Sequence, residues 1–252
     1  MAKKALITGA SSGIGRDIAR ILDAQGYDLI LVARREDRLQ ALAENLIGNP
    51  IIIAMDISGS ENAKKLYDMT SKHEIDVLIN NAGFGVWGGF TATDTDREMD
   101  MLRIDVETMH VLMKLFLRDF TKRNSGKILN VASAAAFAPG PYMAAYYSCK
   151  AYMLRLTQSV AHELRSDGSK VTVSALCPGP VSTEFNSVAG VHFSMKPLSS
   201  KYVAEYAVKR MNCGDTVIIP GTTTKAAALL AKLVPSSLAA AVTAKIQKNK
   251  SH

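Results

Sequence analysis

Two side chains in the middle of the sequence have the types and the spacing of an acid–base pair. Tyr146 and Lys150 are four residues apart in the stretch Ala144–Arg165, whose apolar pattern predicts a helix, so they share one helical face. A phenol has a pKa of about 10 in water, and a neighbouring ammonium lowers that pKa because it favours the phenolate. Tyr146 can therefore give a proton to a carbonyl oxygen while hydride reaches the carbon, and Ser133 can hold that oxygen in place.

Two other interpretations of this helix stay open. Tyr147 is a rival for the acid–base role, although only Tyr146 has a lysine at the i+4 position. An isolated pair of this kind is also typical of an aromatic helix face that packs in a core or an oligomer interface. The motifs elsewhere in the chain favour the chemical interpretation.

A glycine-rich segment joins the first predicted strand to the first predicted helix. Gly9 permits a tight turn, Gly13 lets the backbone approach a phosphate, and Gly15 lets the helix press against the sheet. The helix N-terminus offers unpaired N–H groups and the positive end of its dipole to a pyrophosphate. The segment therefore predicts a dinucleotide-binding turn, whose contact residues are Gly9, Ser11, Ser12, Gly13, Ile14 and Gly15.

The end of the second predicted strand indicates which dinucleotide binds. A site for NAD has an acid here, about 20 residues past the glycines, that binds the free ribose 2′-hydroxyl. This chain has Arg34 and Arg35 instead, and two guanidinium groups suit bidentate contact with a 2′-phosphate. We therefore predict NADP(H). The alternative is a solvated basic turn whose charge is balanced by Glu36 and Asp37.

Short apolar runs alternate with amphipathic stretches along the chain. The runs, which predict strands, are Lys4–Ile7, Asp28–Val32, Ile51–Ala54, Val77–Ile79, Lys127–Val131, Val171–Ala175 and Thr216–Ile219. The amphipathic stretches, which predict helices, include Ile14–Gln25, Arg38–Leu46, Asn62–Lys72, Arg97–Phe120 and Ala144–Arg165. Such alternation is typical of a parallel sheet covered on both faces. We expect an α/β fold: one Rossmann-like, doubly wound domain over residues 1–252, with about seven strands whose carboxyl ends form the ligand-binding edge.

Several motifs together resemble those of the short-chain dehydrogenase/reductase family, and the similarity covers nearly the whole chain. Thr8–Gly15 resembles the family's first motif and Asn80–Gly83 its second. Tyr146–Lys150 resembles its active-site YxxxK, with Ser133 at the family's serine position, thirteen residues before the tyrosine. Pro178–Thr183 resembles the segment that lines the nicotinamide face.

The resemblance implies further cofactor contacts and an assembly. It implies that Asp56 and Ile57 flank the adenine and that Asn81 touches the adjacent ribose region. The other residues that it places against the cofactor are Ala82, Gly83, Tyr146, Lys150, Pro178, Gly179, Val181 and Thr183. It also implies a homodimer or homotetramer built on the long helices predicted at Arg97–Phe120 and Ala144–Arg165.

One position departs from the family's pattern. The family commonly has an asparagine about 25 residues after the start of its second motif, where it completes a proton relay with the lysine and a water, whereas this chain has Asp105. The Asp105 backbone carbonyl can still hold the water, but an ionised carboxylate near Lys150 would weaken the lysine's effect on Tyr146. Alternatively, Asp105 turns to solvent or pairs with Arg103 or a neighbouring base.

Charge and composition argue against several classes of protein. Residues 196–252 contain nine Lys or Arg and two Asp or Glu, so this end accounts for the whole net charge of +7. A nucleic-acid-binding domain more often has a basic stripe with aromatic residues through its body, so we expect no nucleic-acid partner.

No apolar run is long enough for a membrane span or a signal peptide, which favours a cytoplasmic location. The scattered Cys149, Cys177 and Cys213 and the dispersed histidines predict no metal site.

Residues 182–200 follow a strand end without a sustained period, so we predict a loop that covers the substrate. The pocket is expected to draw on Ser133, Ala135, Tyr142, Tyr146 and Gly179 and on the loop residues Phe185, Val188, Val191, Phe193 and Met195. These apolar loop side chains favour a hydrophobic ketone, aldehyde or acyl substrate.

The basic tail, residues 222–252, predicts two short helices, Lys225–Leu233 and Leu238–Lys248, separated by Pro235. These helices could touch a membrane surface. The interpretation that we favour is a solvated pair packed on the domain or on a neighbouring subunit.

The sequence as a whole predicts an NADP(H)-dependent oxidoreductase that acts on a small-molecule carbonyl or alcohol. A binding protein of the same fold that senses NADP(H) without turnover is the main alternative. Epimerisation or dehydration with a tightly held cofactor is another, because a fold does not determine a function.

Overall fold

A central β-sheet organises the protein, whose computed structural model describes residues 2–190 and 197–248. The strands in these residues are β1 (Lys4–Thr8), β2 (Asp28–Ala33), β3 (Ile51–Ala54), β4 (Val77–Asn80), β5 (Lys127–Val131), β6 (Thr172–Leu176), β7 (Val181–Ser182), β8 (Leu198–Ser199) and β9 (Val217–Ile218). Seven of them form one parallel sheet in the order β3-β2-β1-β4-β5-β6-β9, and the two-residue strands β7 and β8 pair with each other. The predicted Rossmann-like parallel sheet is confirmed.

Helices cover both faces of this sheet. Within the same residues they are α1 (Gly13–Ala24), α2 (Glu36–Ala43), α3 (Ser60–Thr70), α4 (Thr95–Leu102), α5 (Met109–Lys122), α6 (Ala144–Ser166), α7 (Phe185–Ala189), α8 (Ser200–Asn212), α9 (Thr222–Leu230) and α10 (Ser236–Lys248). In β1, Leu6 packs into the core cluster beneath α3, α5 and α6, whereas Ala5 and Ile7 pack into the cluster beneath α1, α2 and α8. Because most of the sheet is buried on both faces, its strands are mainly apolar runs, and the partly exposed edge strand β3 is apolar as well, so all seven could be located from the sequence.

The strand order reverses between β1 and β4. From β1 the chain continues to β2 and β3 on one side, and the later strands lie on the other side, beginning with β4. In open α/β sheets ligands bind outside the carboxyl ends of the strands at such a point. The segments that leave these two strands are the predicted glycine-rich segment and the Asn80–Gly83 motif, so the topology brings both motifs to one crevice.

The single helix predicted over Arg97–Phe120 is continuous in the structure, but it is π-helical at its centre. Helices α4 and α5 are joined by a π-helical turn at Arg103–Thr108. The Thr108 hydroxyl oxygen lies 2.7 Å from the Ile57 carbonyl oxygen and 2.9 Å from the Arg103 carbonyl oxygen, so the two acceptors share its single proton. These side-chain bonds stabilise the wide turn and tie it to the segment after β3, and the apolar period of the sequence carries no sign of them.

The segment predicted as an irregular loop over residues 182–200 is more regular than expected. It contains β7, α7 and β8, and α8 begins at Ser200, while residues 191–196 lie outside the described chain. Helix α8 was not predicted, although the Ser199 hydroxyl accepts a capping bond from the Tyr202 N–H at 3.2 Å. The buried face of α8 consists of Ser200 and of small and medium apolar residues: Val203, Ala204, Ala207, Val208 and Met211. The two helices predicted in the tail correspond to α9 and α10.

A buried chain of polar side chains ties β4, β5 and α6 together beside the crevice. Asn80 Nδ2 donates to Asn130 Oδ1 at 2.9 Å, and Asn130 Nδ2 donates to Thr157 Oγ1 at 2.9 Å. Asn130 and Thr157 are fully buried. Because α6 also contains Tyr146 and Lys150, these bonds help to position the predicted acid–base pair relative to the sheet.

We predict that Thr157→Val lowers the free energy of unfolding by about 1–3 kcal/mol, because the shape of the side chain is kept while the buried Asn130 amide loses its oxygen acceptor. Chemical denaturation measures the loss. Thr121→Val is the matched control. Like the hydroxyl of Thr157, the Thr121 hydroxyl donates to the backbone carbonyl one helical turn earlier, at 2.8 Å, but Thr121 is exposed to solvent. The control should change stability by no more than about 0.5 kcal/mol, and equal losses in the two variants would contradict a role for the buried network.

Candidate active site

A cleft of about 900 Å³ opens at the carboxyl ends of the strands, within the size range of small-molecule sites. The predicted site residues that line it are Gly9, Ser11, Ser12, Gly13, Ile14, Arg34, Arg35, Asp56, Ile57, Asn81, Ala82, Gly83, Ser133, Tyr146, Lys150, Pro178, Gly179, Val181 and Thr183. Two predicted residues lie behind its surface: Gly15, buried in the first turn of α1, and Asp105, buried against Lys150.

The glycine-rich turn packs so closely on the Asn80–Gly83 motif that side chains cannot fit at two of its glycines. Gly9 and Gly13 have positive φ angles of 66° and 56°, a conformation that favours glycine. A Cβ at Gly9 would lie 2.7 Å from Asn81 Nδ2, and one at Gly15 would lie 2.4 Å from the same atom. The Asn81 amide donates to the carbonyls of Thr8, at 2.9 Å, and Gly9, at 3.1 Å, so it holds the turn against the crevice.

The start of α1 is open toward the cleft. Ser12 precedes the helix in an extended conformation, and its hydroxyl makes no capping bond to the first turn. Gly13 and Ile14 line the cleft, so the helix presents its first N–H groups and the positive end of its dipole there. This arrangement fits the pyrophosphate of a dinucleotide.

The two predicted arginines have different surroundings. Arg35 donates to the hydroxyls of Ser11 and Ser12, at 3.1 and 3.2 Å, and forms an ion pair with Glu184 at 2.8 Å. Arg34 lines the cleft near Asp56. Burial raises the pKa of Asp56, but hydrogen bonds from Ser58 and the charge of Arg34 outweigh it, so this pKa is lowered overall.

Arg38 and Glu184 belong to this end of the cleft but were not predicted from the sequence. Glu184 lies directly after the Pro178–Thr183 segment and pairs with both Arg35 and Arg38. Hydrogen bonds from Arg38 and Arg35 hold the pKa of the Glu184 carboxyl below its ordinary value. The partners are almost 150 residues apart in the chain, so no local pattern in the sequence indicates the contact.

The predicted acid–base pair lies at the other end of the strand edge. Lys150 is only 5% exposed, and its Nζ lies 3.3 Å from the Val131 carbonyl and 5.5 Å from the centroid of the Tyr146 ring. Ser133 lies in extended backbone just after β5, and its hydroxyl accepts a bond from the Ala135 N–H at 3.1 Å. The fold therefore brings the phenol, the ammonium and the hydroxyl to one wall of the cleft.

Burial changes the expected electrostatics of the phenol. It raises the pKa of Tyr146, and this effect outweighs the charge of Lys150 and a hydrogen bond from the Ser133 side chain, both of which lower the pKa. The charge of Asp105 raises it further. Lys150 lowers the pKa of the phenol as the sequence predicts, but in the protein by itself burial outweighs this effect. Tyr146 is therefore protonated at neutral pH, the form that can donate a proton.

Asp105 faces the lysine from the π-helical turn. It is fully buried, and its Oδ2 lies 3.4 Å from Lys150 Nζ. The alternatives of a solvent-facing side chain or a pair with Arg103 are wrong, since Arg103 pairs with Asp100 at 2.8 Å. The carboxylate also lies against Gly83, where a Cβ would come within 2.0 Å of its Oδ1.

Asp105 and Lys150 each change the pKa of the other. Burial raises the pKa of Asp105 to about 6, against the opposing charge of Lys150. Burial lowers the pKa of Lys150, but the charge of Asp105 reverses that effect and raises it overall. At neutral pH the site therefore holds a buried ion pair behind a neutral phenol.

The rival Tyr147 has a different role in the structure. Its ring packs on Gly140, where a Cβ would lie 2.2 Å from the ring, and its hydroxyl accepts a bond from Gln247 Nε2 at 2.6 Å. Tyr142, predicted to line the substrate pocket, instead lies below Lys248, whose Nζ is 5.6 Å from the ring centroid.

The wall beyond Tyr146 is apolar. Ala135, Phe185 and Val188 line it as predicted, and the ring centroids of Tyr146 and Phe185 are 5.4 Å apart. Val191, Phe193 and Met195 lie outside the described residues. The sequence did not indicate that α9, α10 and the segment between them complete this wall, with the side chains of Ala227, Leu230, Ala231, Val234, Leu238, Val242 and Ile246.

Comparisons with known proteins identify the family. The family model for short chain dehydrogenases matches residues 3–190. An uncharacterized oxidoreductase of Staphylococcus epidermidis is 33% identical over 210 residues, which cover 82% of this chain and 89% of that protein. The structure of a short-chain dehydrogenase from Sphingobium yanoikuyae in complex with NADPH is 28% identical, with a TM-score of 0.82 over 92% of this chain and 93% of that one.

A second solved structure has the same fold. It is a short chain dehydrogenase/reductase from Burkholderia phymatum in complex with NAD, 24% identical, with a TM-score of 0.82 over 91% of this chain and 92% of that one. The motifs of the cleft, the match of the family model to most of the sequence and the one-third identity to a curated relative agree. The chain belongs to the short-chain dehydrogenase/reductase family of oxidoreductases.

Proposed function

We propose that the protein transfers hydride between NADP(H) and the carbonyl or alcohol carbon of a small apolar substrate. One observation carries the proposal: the Tyr146 phenol, the Lys150 ammonium and the Ser133 hydroxyl lie in the same cleft as an open helix N-terminus and two arginines. The proposal treats residues 1–252 as one dinucleotide-binding and catalytic domain and includes a homodimer or homotetramer built on α5 and α6.

The cofactor end of the cleft fits a phosphorylated dinucleotide. Gly13 and Ile14, at the start of α1, would hold the pyrophosphate. Arg34 and Arg35 would hold the 2′-phosphate, since both line the cleft and a guanidinium binds phosphate in a bidentate manner. Asp56 and Ile57 would flank the adenine, and the segment Pro178–Thr183 would lie along the nicotinamide.

The remaining polar groups would act on the substrate oxygen. When bound, the nicotinamide cofactor supplies or accepts the hydride. In reduction, Tyr146 gives its phenolic proton to the carbonyl oxygen, and Ser133 donates a hydrogen bond that holds this oxygen in place. Lys150 stabilises the phenolate that remains, because its ammonium is buried close to the ring. In oxidation the phenolate accepts the proton from the alcohol.

The apolar wall indicates the substrate class. Beyond Tyr146 the cleft is lined by Phe185, Val188 and aliphatic side chains of α9 and α10. A hydrophobic ketone, aldehyde or acyl compound can bury its surface there, whereas a charged sugar phosphate would leave its charge without a partner.

A screen of NADPH consumption across aldehydes, ketones and acyl thioesters tests the proposal directly. The main alternative, a protein that senses NADP(H) without turnover, predicts that NADPH binds but that no compound is reduced. Turnover of any carbonyl compound, lost on removal of the Tyr146 hydroxyl, supports the oxidoreductase.

Tyr146→Phe is expected to lower kcat by about 10²- to 10⁴-fold, the usual contribution of a positioned general acid. NADPH affinity, measured by fluorescence titration, should stay close to that of the wild type. Tyr147→Phe removes the neighbouring phenol, which contacts Gln247, and should leave most of the chemical step intact. Comparable loss in both variants, or substantial activity in Tyr146→Phe, would contradict the assignment of Tyr146.

Cofactor preference is tested by Arg34→Ala and Arg35→Ala. Each should weaken NADPH binding by about tenfold or more, because a charged hydrogen bond to phosphate is lost, and should change NADH binding little. Arg155→Ala is the control, because Arg155 is exposed on α6 and bonds only Gln158 among the contacts recorded for the described residues. Equal affinity of the wild type for NADPH and NADH would refute the preference for the phosphorylated cofactor.

Asp105→Asn is expected to move the acid limb of the pH profile of kcat/KM for alcohol oxidation to lower pH. Above a pH of about 6 the Asp105 carboxylate is ionised, and its charge raises the pKa of Tyr146. Oxidation needs the phenolate, so removing that charge lets the phenolate form at lower pH. Asp100→Asn, at a 60% exposed side chain, is the control for a surface charge. Profiles of kcat/KM against pH that superimpose for Asp105→Asn and the wild type would show that the carboxylate has no electrostatic effect.

A further inference from the structure

The helices α9 and α10 and the turn between them, here called the C-terminal helix pair (residues 222–248), expose an unusual number of large apolar side chains. Their exposed fractions lie between 37% and 82%, and the side chains are Leu229, Leu230, Leu233, Val234, Leu238, Val242 and Ile246. Elsewhere such residues stand singly in the sequence, like Ile47 and Phe90. Scattered exposed apolar residues need no explanation, but a contiguous group marks an interaction surface.

The most exposed part of the pair is its tip, residues 229–238. Within the pair the buried residues are Ala228, Ala239 and Gln247, and all three lie outside the tip. Leu233, which is 82% exposed, lies in the turn between the helices. Of the four leucines of the tip, Leu230 and Leu238 line the cleft, whereas Leu229 and Leu233 do not line it and are exposed to solvent.

The charge of the pair has one sign. Lys225, Lys232, Lys245 and Lys248 lie within it, and the sequence has no acidic residue after Asp215, whose carboxylate pairs with Arg210. Lysines beside an exposed apolar stripe, without acids, are typical of a helix that lies on an anionic lipid surface.

Three polar contacts fix the orientation of α10. The Thr243 hydroxyl donates to the Pro139 carbonyl at 2.6 Å, Gln247 Nε2 donates to the Tyr147 hydroxyl at 2.6 Å, and Trp87 Nε1 donates to the Gln247 carbonyl at 3.3 Å. With α10 attached in this way, Leu238, Val242 and Ile246 line the cleft while remaining about half exposed. These three residues, one helical turn apart, form a rim of the cleft.

We propose that the C-terminal helix pair is a docking surface for an anionic lipid bilayer. Leu229 and Leu233 enter the boundary between headgroups and acyl chains, and the lysines lie against the lipid phosphates. The short basic helices of the pair would lie in the plane of the membrane surface. Within the described residues, no helix could span a bilayer. Because the pair also forms the rim of the cleft, an apolar substrate dissolved in the lipid would reach Tyr146 without passing through water.

A second copy of the chain is the other occupant to consider. A twofold contact through this surface would place the lysines of one pair close to those of the other, with no acid in either segment to neutralise them. An anionic bilayer supplies the missing charge over the whole surface. Charge complementarity therefore favours the lipid.

Sedimentation of the full-length protein with vesicles tests the proposal. We expect the protein to bind vesicles of phosphatidylcholine and phosphatidylserine, to bind pure phosphatidylcholine vesicles at least about tenfold more weakly, and to lose binding as salt increases. A protein that stays in the supernatant with both kinds of vesicle would overturn the proposal. The assay needs no turnover, so its outcome does not depend on the proposed oxidoreductase function.

Two double substitutions distinguish the contribution of apolar side-chain insertion to vesicle binding from the contribution of the lysine charges. Leu229→Gln with Leu233→Gln changes two tip residues that do not line the cleft, and it should lower vesicle binding at least about tenfold while activity on a water-soluble carbonyl compound persists. Lys225→Gln with Lys232→Gln should lower binding to the anionic vesicles by a similar factor.

The matched control, Ile47→Gln with Lys65→Gln, changes an equally exposed apolar residue and a lysine on another surface and should bind vesicles like the wild type. Equal vesicle binding by the leucine variant and the wild type would overturn the proposal. So would a wild-type oligomer that the leucine variant alone converts to a smaller species in analytical ultracentrifugation, because the surface would then be an interface between copies.

Discussion

The burial of the Lys150 ammonium is the constraint on which the rest of the site depends. A charge removed from water needs a partner in the interior, and here the partners are the Asp105 carboxylate at 3.4 Å and the Val131 carbonyl at 3.3 Å. The π-helical turn at Arg103–Thr108 places Asp105 beside the lysine, and Gly83 leaves the space that the carboxylate occupies. A helix, a strand end and a loop are thus arranged around one positive charge.

A carboxylate at this position has an electrostatic consequence that an amide would not have. It neutralises Lys150, so the ammonium does less to stabilise the phenolate of Tyr146, and its own charge raises the phenol pKa. Burial raises the pKa of Tyr146 most, and the charge of Asp105 adds to this effect, so the protein by itself holds Tyr146 as the neutral acid. This is the protonation state in which a carbonyl can be reduced, whereas alcohol oxidation has to begin with loss of that proton.

The cleft has two ends of opposite character. At the cofactor end, Arg34 and Arg35 surround the open N-terminus of α1, and Glu184 holds Arg35 and Arg38 across the cleft. At the substrate end, the C-terminal helix pair contributes a wall of aliphatic side chains. Polar and apolar side chains are thus separated along one groove.

The sequence by itself determined the elements that local patterns specify. The seven strands are mainly apolar runs, Gly9 and Gly13 after β1 mark a turn whose positive φ angles favour glycine, and Tyr146 and Lys150 share a helix face because of their spacing. Only the tertiary structure decided that Asp105 faces Lys150, that Glu184 pairs with Arg35, and that α10 borders the cleft. Each of these contacts joins distant parts of the chain, and its energy comes from burial and charge that packing brings together, of which a local period carries no record.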